Sequence, residues 1–160
     1  MQRWSDLVIE REAPVLKSMV AAKVAYAEVT LAEGSPLVGE LVRHSGFRSR
    51  FNISVVGVYR RNRYRLTNLS YVPFRAGDRI LVQGEVENVD DLDRFADFDE
   101  AKRLTDEELL EQYNTDERMF VVRLPKNSYL AKATLEKSRL ADVFDFRVVS
   151  IFRDGKLKVM

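Results

Sequence analysis

Cysteine is absent from the 160 residues, which removes a disulfide framework, a thiolate zinc site and a thiol nucleophile together. Histidine occurs once, at His44, so neither a catalytic triad nor a histidine metal cluster can be assembled. No apolar run approaches the roughly 20 residues that a membrane-crossing helix needs, and residues 1–6 are not a secretory signal. Net charge is almost lacking as well: 26 Lys and Arg stand against 25 Asp and Glu. No global field therefore points to nucleic acid as a partner. The few glycines are scattered, and no G-x-G-x-x-G phosphate loop occurs. What remains, 46% apolar and 32% charged residues, excludes disorder throughout, collagen and coiled coil. It fits one ordinary cytosol-facing domain, or two small ones.

The balanced total hides a segregated chain. Over 43–77 there are eight arginines and no acid, whereas over 85–117 fourteen acids face only Arg94, Lys102 and Arg103. Such a layout reads as a basic sheet face with a solvated acidic linker helix, or as a basic face that meets an anionic ligand or lipid headgroups. The chain also repeats itself. An offset of 93 residues aligns 27–66 with 120–159 without a gap. Nine identities result: Val29/Val122, Leu31/Leu124, Ser35/Ser128, Leu37/Leu130, Ser45/Ser138, Phe51/Phe144, Val55/Val148, Val56/Val149 and Arg60/Arg153. They fall mostly at apolar and turn positions, the mark of a duplicated unit. The second copy runs out at Met160, before any counterpart of 74–84, so the chain reads as an excised piece of a longer protein.

Local patterns give the elements. Leu7, Val8, Val15, Leu16, Met19, Val20 and Val24 follow a helical stripe over 6–24, with Pro14 breaking it or opening a helix near residue 13. Alternation over 26–31 predicts a half-buried strand. Glu33-Gly34-Ser35-Pro36 is turn chemistry, with Ser35 as N-cap and Pro36 as first residue of a short helix over 37–45. The β-branched run 53–60 predicts a buried strand, and Arg61-Asn62-Arg63 a tight turn into 64–68. Gly77-Asp78 turns the chain into a strand at 79–83, its carboxylate within reach of local amides. Gly39 is expected to let the helix pack closely on a strand, and Gly84 to end the 79–83 strand. A closing helix over 85–95 and a further helix capped by Thr105 follow. In the second copy, a strand at 120–124, a helix at 129–141 and a strand at 146–152 lead to Asp154-Gly155, a type I′ hairpin signal. The unit is β-α-β-β-β and the fold class mixed α+β.

Together, Glu28-Val-Thr-Leu, Ser35-Pro-Leu-Val-Gly39, the run 51–60 and Gly77-Asp78 through Gly84 resemble the TrkA-C family, the C-terminal domains of regulators of potassium conductance. The resemblance implies a first TrkA-C domain over 26–95 and a partial second one over 118–160, with Lys132 where the first copy has Gly39. Residues 1–25 would then be an N-terminal helical segment and 96–117 an acidic linker helix. It further implies a regulatory, non-catalytic module on the cytoplasmic side of the plasma (inner) membrane, attached to an ion or anion transporter. Tandem copies without a nucleotide-binding half look like the cytosolic insert of sodium-coupled sulfate/dicarboxylate-type permeases. The rival is a regulatory subunit of a potassium uptake or efflux system.

Expected partners are a second copy in a homodimer, the membrane domain of the parent transporter and a small anionic ligand, without nucleic acid. The resemblance also carries a binding candidate, Arg48, Arg50, Phe51, Asn52 and Ile53, because in some TrkA-C dimers the equivalent region binds cyclic di-adenosine monophosphate. Guanidinium forks suit phosphates, Phe51 offers an apolar wall and Asn52 can read an adenine edge. In the second copy Val143 and Asp145 replace Arg50 and Asn52, and Arg48 and Arg50 also read simply as solvated arginines. His44 reads as a surface residue. The acids at 90–100 lack the spacing of a calcium loop, and no carboxylate pair suggests acid/base chemistry.

Overall fold

The computed structural model describes residues 8–10, 14–66, 68–114, 121–124 and 148–160. Nine strands occur among them: β1 (Val8–Glu10), β2 (Val24–Leu31), β3 (Ser54–Arg60), β4 (Arg63–Arg65), β5 (Arg79–Glu85), β6 (Phe98–Arg103), β7 (Val121–Arg123), β8 (Ser150–Arg153) and β9 (Lys156–Val159). The helices are α1 (Pro14–Lys23), α2 (Phe47–Phe51), α3 (Val86–Asp90) and α4 (Asp106–Tyr113), with 3₁₀ turns at Val42–His44 and Asp91–Arg94. Two compact units result, one holding 21–106 and the other the described parts of 1–20 and 107–158.

In the first unit an antiparallel sheet runs in the order β4-β3-β5-β2-β6, so the α+β expectation holds. Ala25, Ala27, Val29 and Leu31 all point to one face of β2 and are buried, as an alternating strand requires. Across the ladder they meet Gly84, Val82 and Ile80 of β5. Phe47 and Phe51 of α2, Phe74, Val89 and Leu92 cover that face. Each such fully buried aliphatic or aromatic side chain is worth ~1.5–3 kcal/mol, so this face, not the surface ion pairs, holds the unit together.

Two bulges explain why simple alternation does not describe β3 and β6. In β3, Val55 faces Val82 and Gly57 faces Leu81, which leaves Val56 as the extra residue. Val55 and Val58, three apart, are therefore both buried in the core. In β6, Leu31 faces Phe98 while Thr30 faces Glu100. Asp99 is the extra residue, so Phe98 and Ala101 reach the same core. The acidic linker helix expected over 96–117 is thus corrected: its first part is a sheet strand, and among its described residues only Asp106–Tyr113 is helical. The two apolar residues of β6 sit at a spacing that hides a strand until the bulge is known.

A second correction concerns the helix expected over 37–45. Ser35 does act locally, its Oγ accepting the Leu37 N–H at 3.1 Å, but no α-helix follows. Gly39 adopts φ +90° and its N–H donates to the Phe74 carbonyl at 2.8 Å. Phe74 donates back to the Glu40 carbonyl, and Val42 to that of Val72. The backbone of 39–42 therefore pairs with 72–74 instead of with itself, and the α-helix forms later, at Phe47–Phe51. A Cβ on Gly39 would meet nothing within 4 Å; the residue serves the left-handed turn, not close helix packing as expected. Gly84 lies inside β5, one residue before its end.

In the second unit β1 pairs antiparallel with β7, and β8 and β9 form a hairpin. The offset of 93 residues lays that hairpin on β3–β4. Both turns have two residues with positive φ, Arg61 (53°) and Asn62 (62°) in one, Asp154 (52°) and Gly155 (75°) in the other, as type I′ geometry demands. The helix expected at 129–141, and with it most of the second copy, lies outside the described residues.

Gly84 gives a test of the packing. A Cβ there would lie 2.9 Å from Cγ2 of Ile53, a residue with no exposure at all. Gly84→Ala is expected to lower stability by ~1–3 kcal/mol. Gly34→Ala, in open space, is expected to change it by less than ~0.5 kcal/mol. Urea unfolding of both variants measures the difference.

Candidate functional site

The segment 48–53 is built around α2. Gly46 (φ 73°) and Asn52 (φ 55°) bracket the helix in left-handed conformations, and the Asn52 N–H closes it on the Arg48 carbonyl at 3.1 Å. Phe51 and Ile53 point into the core, 5% and 0% exposed. Phe51 stands edge-on to Phe47 and Phe95, at centroid distances of 5.2 and 4.7 Å. Arg50 lies over the Phe51 ring and donates both ends of its guanidinium to the Asp97 carboxylate, each at 2.7 Å. Asp97 is buried, and the Ser35 hydroxyl also approaches it at 3.5 Å. Arg48 donates to Ser54 Oγ at 3.2 Å. The structure therefore brings all five residues into one stretch, with Asn52 exposed and Arg48 exposed and held only by the Ser54 hydroxyl. His44 is exposed, as expected, and its Nε2 accepts from Arg43 Nε at 3.0 Å.

A second arginine lock sits close by, since Asp78 and Asp97 accept through their backbone carbonyls from the neighbouring amides of Leu31 and Ala32, each at 2.9 Å. Arg60 at the end of β3 donates through Nε to Asp78 Oδ1 at 2.7 Å, and through its terminal nitrogen to Asp78 Oδ2 and the Pro73 carbonyl. Asp78 also accepts the Arg75 N–H at 2.8 Å, the hydrogen bond to a local amide expected of that turn. The Arg60 guanidinium is held above its ordinary value chiefly by this hydrogen bond to Asp78, against the opposing effect of burial. The sign follows: the stabilisation is complete below the unfolded value and fades only as pH rises through the higher folded one. Near neutrality the arginine side of the lock does not titrate.

Around this lock Tyr59, Arg60, Arg61, Asn62 and the turn 75–79 line a cleft of about 390 Å³. Arg79 stacks 4.0 Å above the Tyr59 ring and pairs with Glu28 at 3.1 Å. Sequence reasoning missed both locks, since neither Asp97 nor Asp78 stands near its arginine in the chain. One signal was present: Arg60/Arg153 is the only charged pair among the nine repeat identities. The acids at 90–100 are drawn partly into ion pairs, Asp90 with Arg103, Asp91 with Arg94 and Asp97 with Arg50.

Residues 26–97, a little under half of the chain, match the family model of the TrkA-C domain. That model describes a family of regulatory, generally non-catalytic domains, and the matched span takes in most of β2 and all of β3 to β5, but not β6. A stretch of 64 residues, 40% of the chain, is 41% identical to the uncharacterized transporter YfbS of Escherichia coli (strain K12). The chain spans only a tenth of that relative's length. Among the described residues no helix is long and apolar enough to cross a membrane.

The two locks should differ in weight. Arg60 is 24% exposed and its acid 2%, whereas Arg50 is 44% exposed, so water can replace Arg50 more readily. Arg60→Met is expected to cost ~3–5 kcal/mol by stranding a buried carboxylate, and Arg50→Met ~1–3 kcal/mol. Pairing Arg60→Met with Asp78→Leu is expected to recover part of the loss, read from urea midpoints at constant slope.

Proposed function

We propose that this chain is a cytosolic regulatory or assembly module of a membrane ion or anion transporter, without catalysis. The TrkA-C match over 26–97 carries the reading, and the likeness to a protein named as a transporter supports it. The tandem arrangement enters as part of the proposal, supported by the offset of 93 residues and by the matching turns of the two hairpins. Such a module biases transport only if a ligand or partner prefers one of its arrangements, by an amount equal to the difference in affinity. Action as a homodimer belongs to the same proposal, since closed twofold assemblies are the commonest among oligomers.

The segment 48–53 is the proposed sensing site for cyclic di-adenosine monophosphate, and its geometry sharpens the test. With Arg50 engaged by Asp97 and both apolar residues buried, a dinucleotide would meet Arg48 and Asn52. Thermal unfolding with cyclic dinucleotides, ATP, NADH, sulfate and dicarboxylates reads binding directly, because a ligand at 100 times its Kd stabilises by ~2.7 kcal/mol. A saturable rise with cyclic di-adenosine monophosphate, lost in Arg48→Ala, is the result expected of a nucleotide sensor and would favour the potassium-system rival. An unchanged melting temperature across the panel removes ligand sensing at this segment and leaves an assembly role. For the transporter reading, an antibody against 26–97 should detect its antigen in the membrane fraction of the source cells. Recovery solely from the soluble fraction after gentle lysis would refute attachment to a transporter.

A further inference from the structure

The cleft beside the Arg60–Asp78 lock holds more positive charge than the fold uses. Its lining carries four arginines, Arg60, Arg61, Arg75 and Arg79, against one carboxylate, Asp78. Arg60 is committed to Asp78, and Arg79 to Glu28 and the Tyr59 ring. Arg61 and Arg75 are exposed, and their guanidinium groups engage no partner among the described residues. The two come from different turns, the β3–β4 hairpin and the 75–78 turn, which the lock itself pins together through Asp78 and the Arg75 N–H.

Arg61 is also a costly choice for its position. It occupies the first central place of the hairpin turn at φ 53°, where a left-handed backbone favours Gly, or Asn and Asp with their local hydrogen bonds, and crowds the Cβ of any other residue against the following carbonyl. The same chain uses Asp154-Gly155 at the equivalent turn of its other hairpin. Folding alone therefore does not call for a cation here. A strained backbone that presents a charge at the rim of a cleft is a feature associated with binding.

We propose that this cleft is a binding site for a phosphoanion of at least two negative charges. Arg61 and Arg75 each supply a free guanidinium fork to one phosphoryl group. Arg60 and Arg79, already fixed by their own partners, hold the walls and add to the local field. The cleft is shallow and open to solvent, which suits a hydrated, charged group gripped at its rim. The site is separate from the 48–53 segment and does not rest on the transporter reading, which the membrane-fraction experiment tests independently. Two sources share this chemistry: a soluble phosphate ester, and the headgroups of an anionic membrane.

Titration calorimetry of the full chain with sodium pyrophosphate, at constant ionic strength, is the test. One saturable site is expected, weakening as salt rises. The double variant Arg61→Asn/Arg75→Gln should bind at least about tenfold more weakly, in line with the loss of two charge-assisted contacts. Arg61→Asn suits the left-handed turn, so the double variant should melt no lower than the parent chain, which separates lost binding from lost folding. Arg94→Gln, a charge removed far along the chain, should bind as the parent does. Co-sedimentation with phosphatidylglycerol-containing vesicles, against phosphatidylcholine alone, assigns the source. Pelleting that pyrophosphate competes away supports the site with lipid headgroups as its ligand. Pyrophosphate binding without pelleting supports it with a soluble ligand. Absence of both signals, either one unchanged in the double variant, or equal heat with succinate would overturn the proposal.

Discussion

Asp78 is the residue on which the geometry of the first unit turns. Its carboxylate gathers the Arg60 fork and the Arg75 N–H, while its backbone carbonyl accepts the Leu31 N–H at 2.9 Å. One buried residue thus joins the end of β3 and the 75–78 turn through its side chain, and the end of β2 through its backbone. Gly77 completes the junction, its N–H donating to the Leu31 carbonyl at 2.9 Å. An acid so deeply placed is tolerable only because its lone pairs are met by a charged fork and an amide. The hydrophobic face decides that the sheet forms; this junction decides how its two turns stand relative to each other.

The two arginine locks divide the basic stretch between structure and surface. Of the eight arginines over 43–77, Arg50 and Arg60 are spent on buried acids, one from the acid-rich stretch and one from the turn before β5. Arg48 reaches Ser54, and Arg43 lies against Tyr71 at 4.8 Å as well as bonding His44. Arg65 donates to the Asn68 carbonyl, so the apparent surplus of charge is smaller than the sequence implies and narrows to Arg61 and Arg63 on the β3–β4 hairpin and Arg75 in the 75–78 turn. Those are the places where the backbone, not the core, chooses the residue.

Much of the fold was legible before any coordinates. The strand at 26–31, the turn at 61–62, the closing helical segment after Glu85 and the Asp154-Gly155 hairpin all follow from local chemistry, because each depends on residues adjacent in the chain. What could not be read depends on partners far away. The segment 37–45 is punctuated like a helix start, yet Gly39 and the carbonyls of Phe74 and Val72 draw its amides elsewhere. β6 looks like an acidic linker, since its bulge at Asp99 sets Phe98 and Ala101 three apart. For the site, the sequence located Arg50 but not Asp97, 47 residues away. Whether an arginine faces solvent or a buried acid is a tertiary fact, and periodicity carries no record of it.

The position of β6 has a practical meaning for anyone dividing this polypeptide. The span that matches the TrkA-C domain stops at residue 97, while the sheet continues through Arg103 and the Leu104 N–H still donates to the Tyr26 carbonyl at 2.9 Å. A piece cut at the boundary of similarity would bare one whole side of β2, a row of unpaired amides and carbonyls beside its most buried residues. Such a row is adhesive, ready to recruit a strand from any neighbouring chain. The folding unit and the matched span are thus not the same length, and the difference is one edge strand that keeps the sheet to itself.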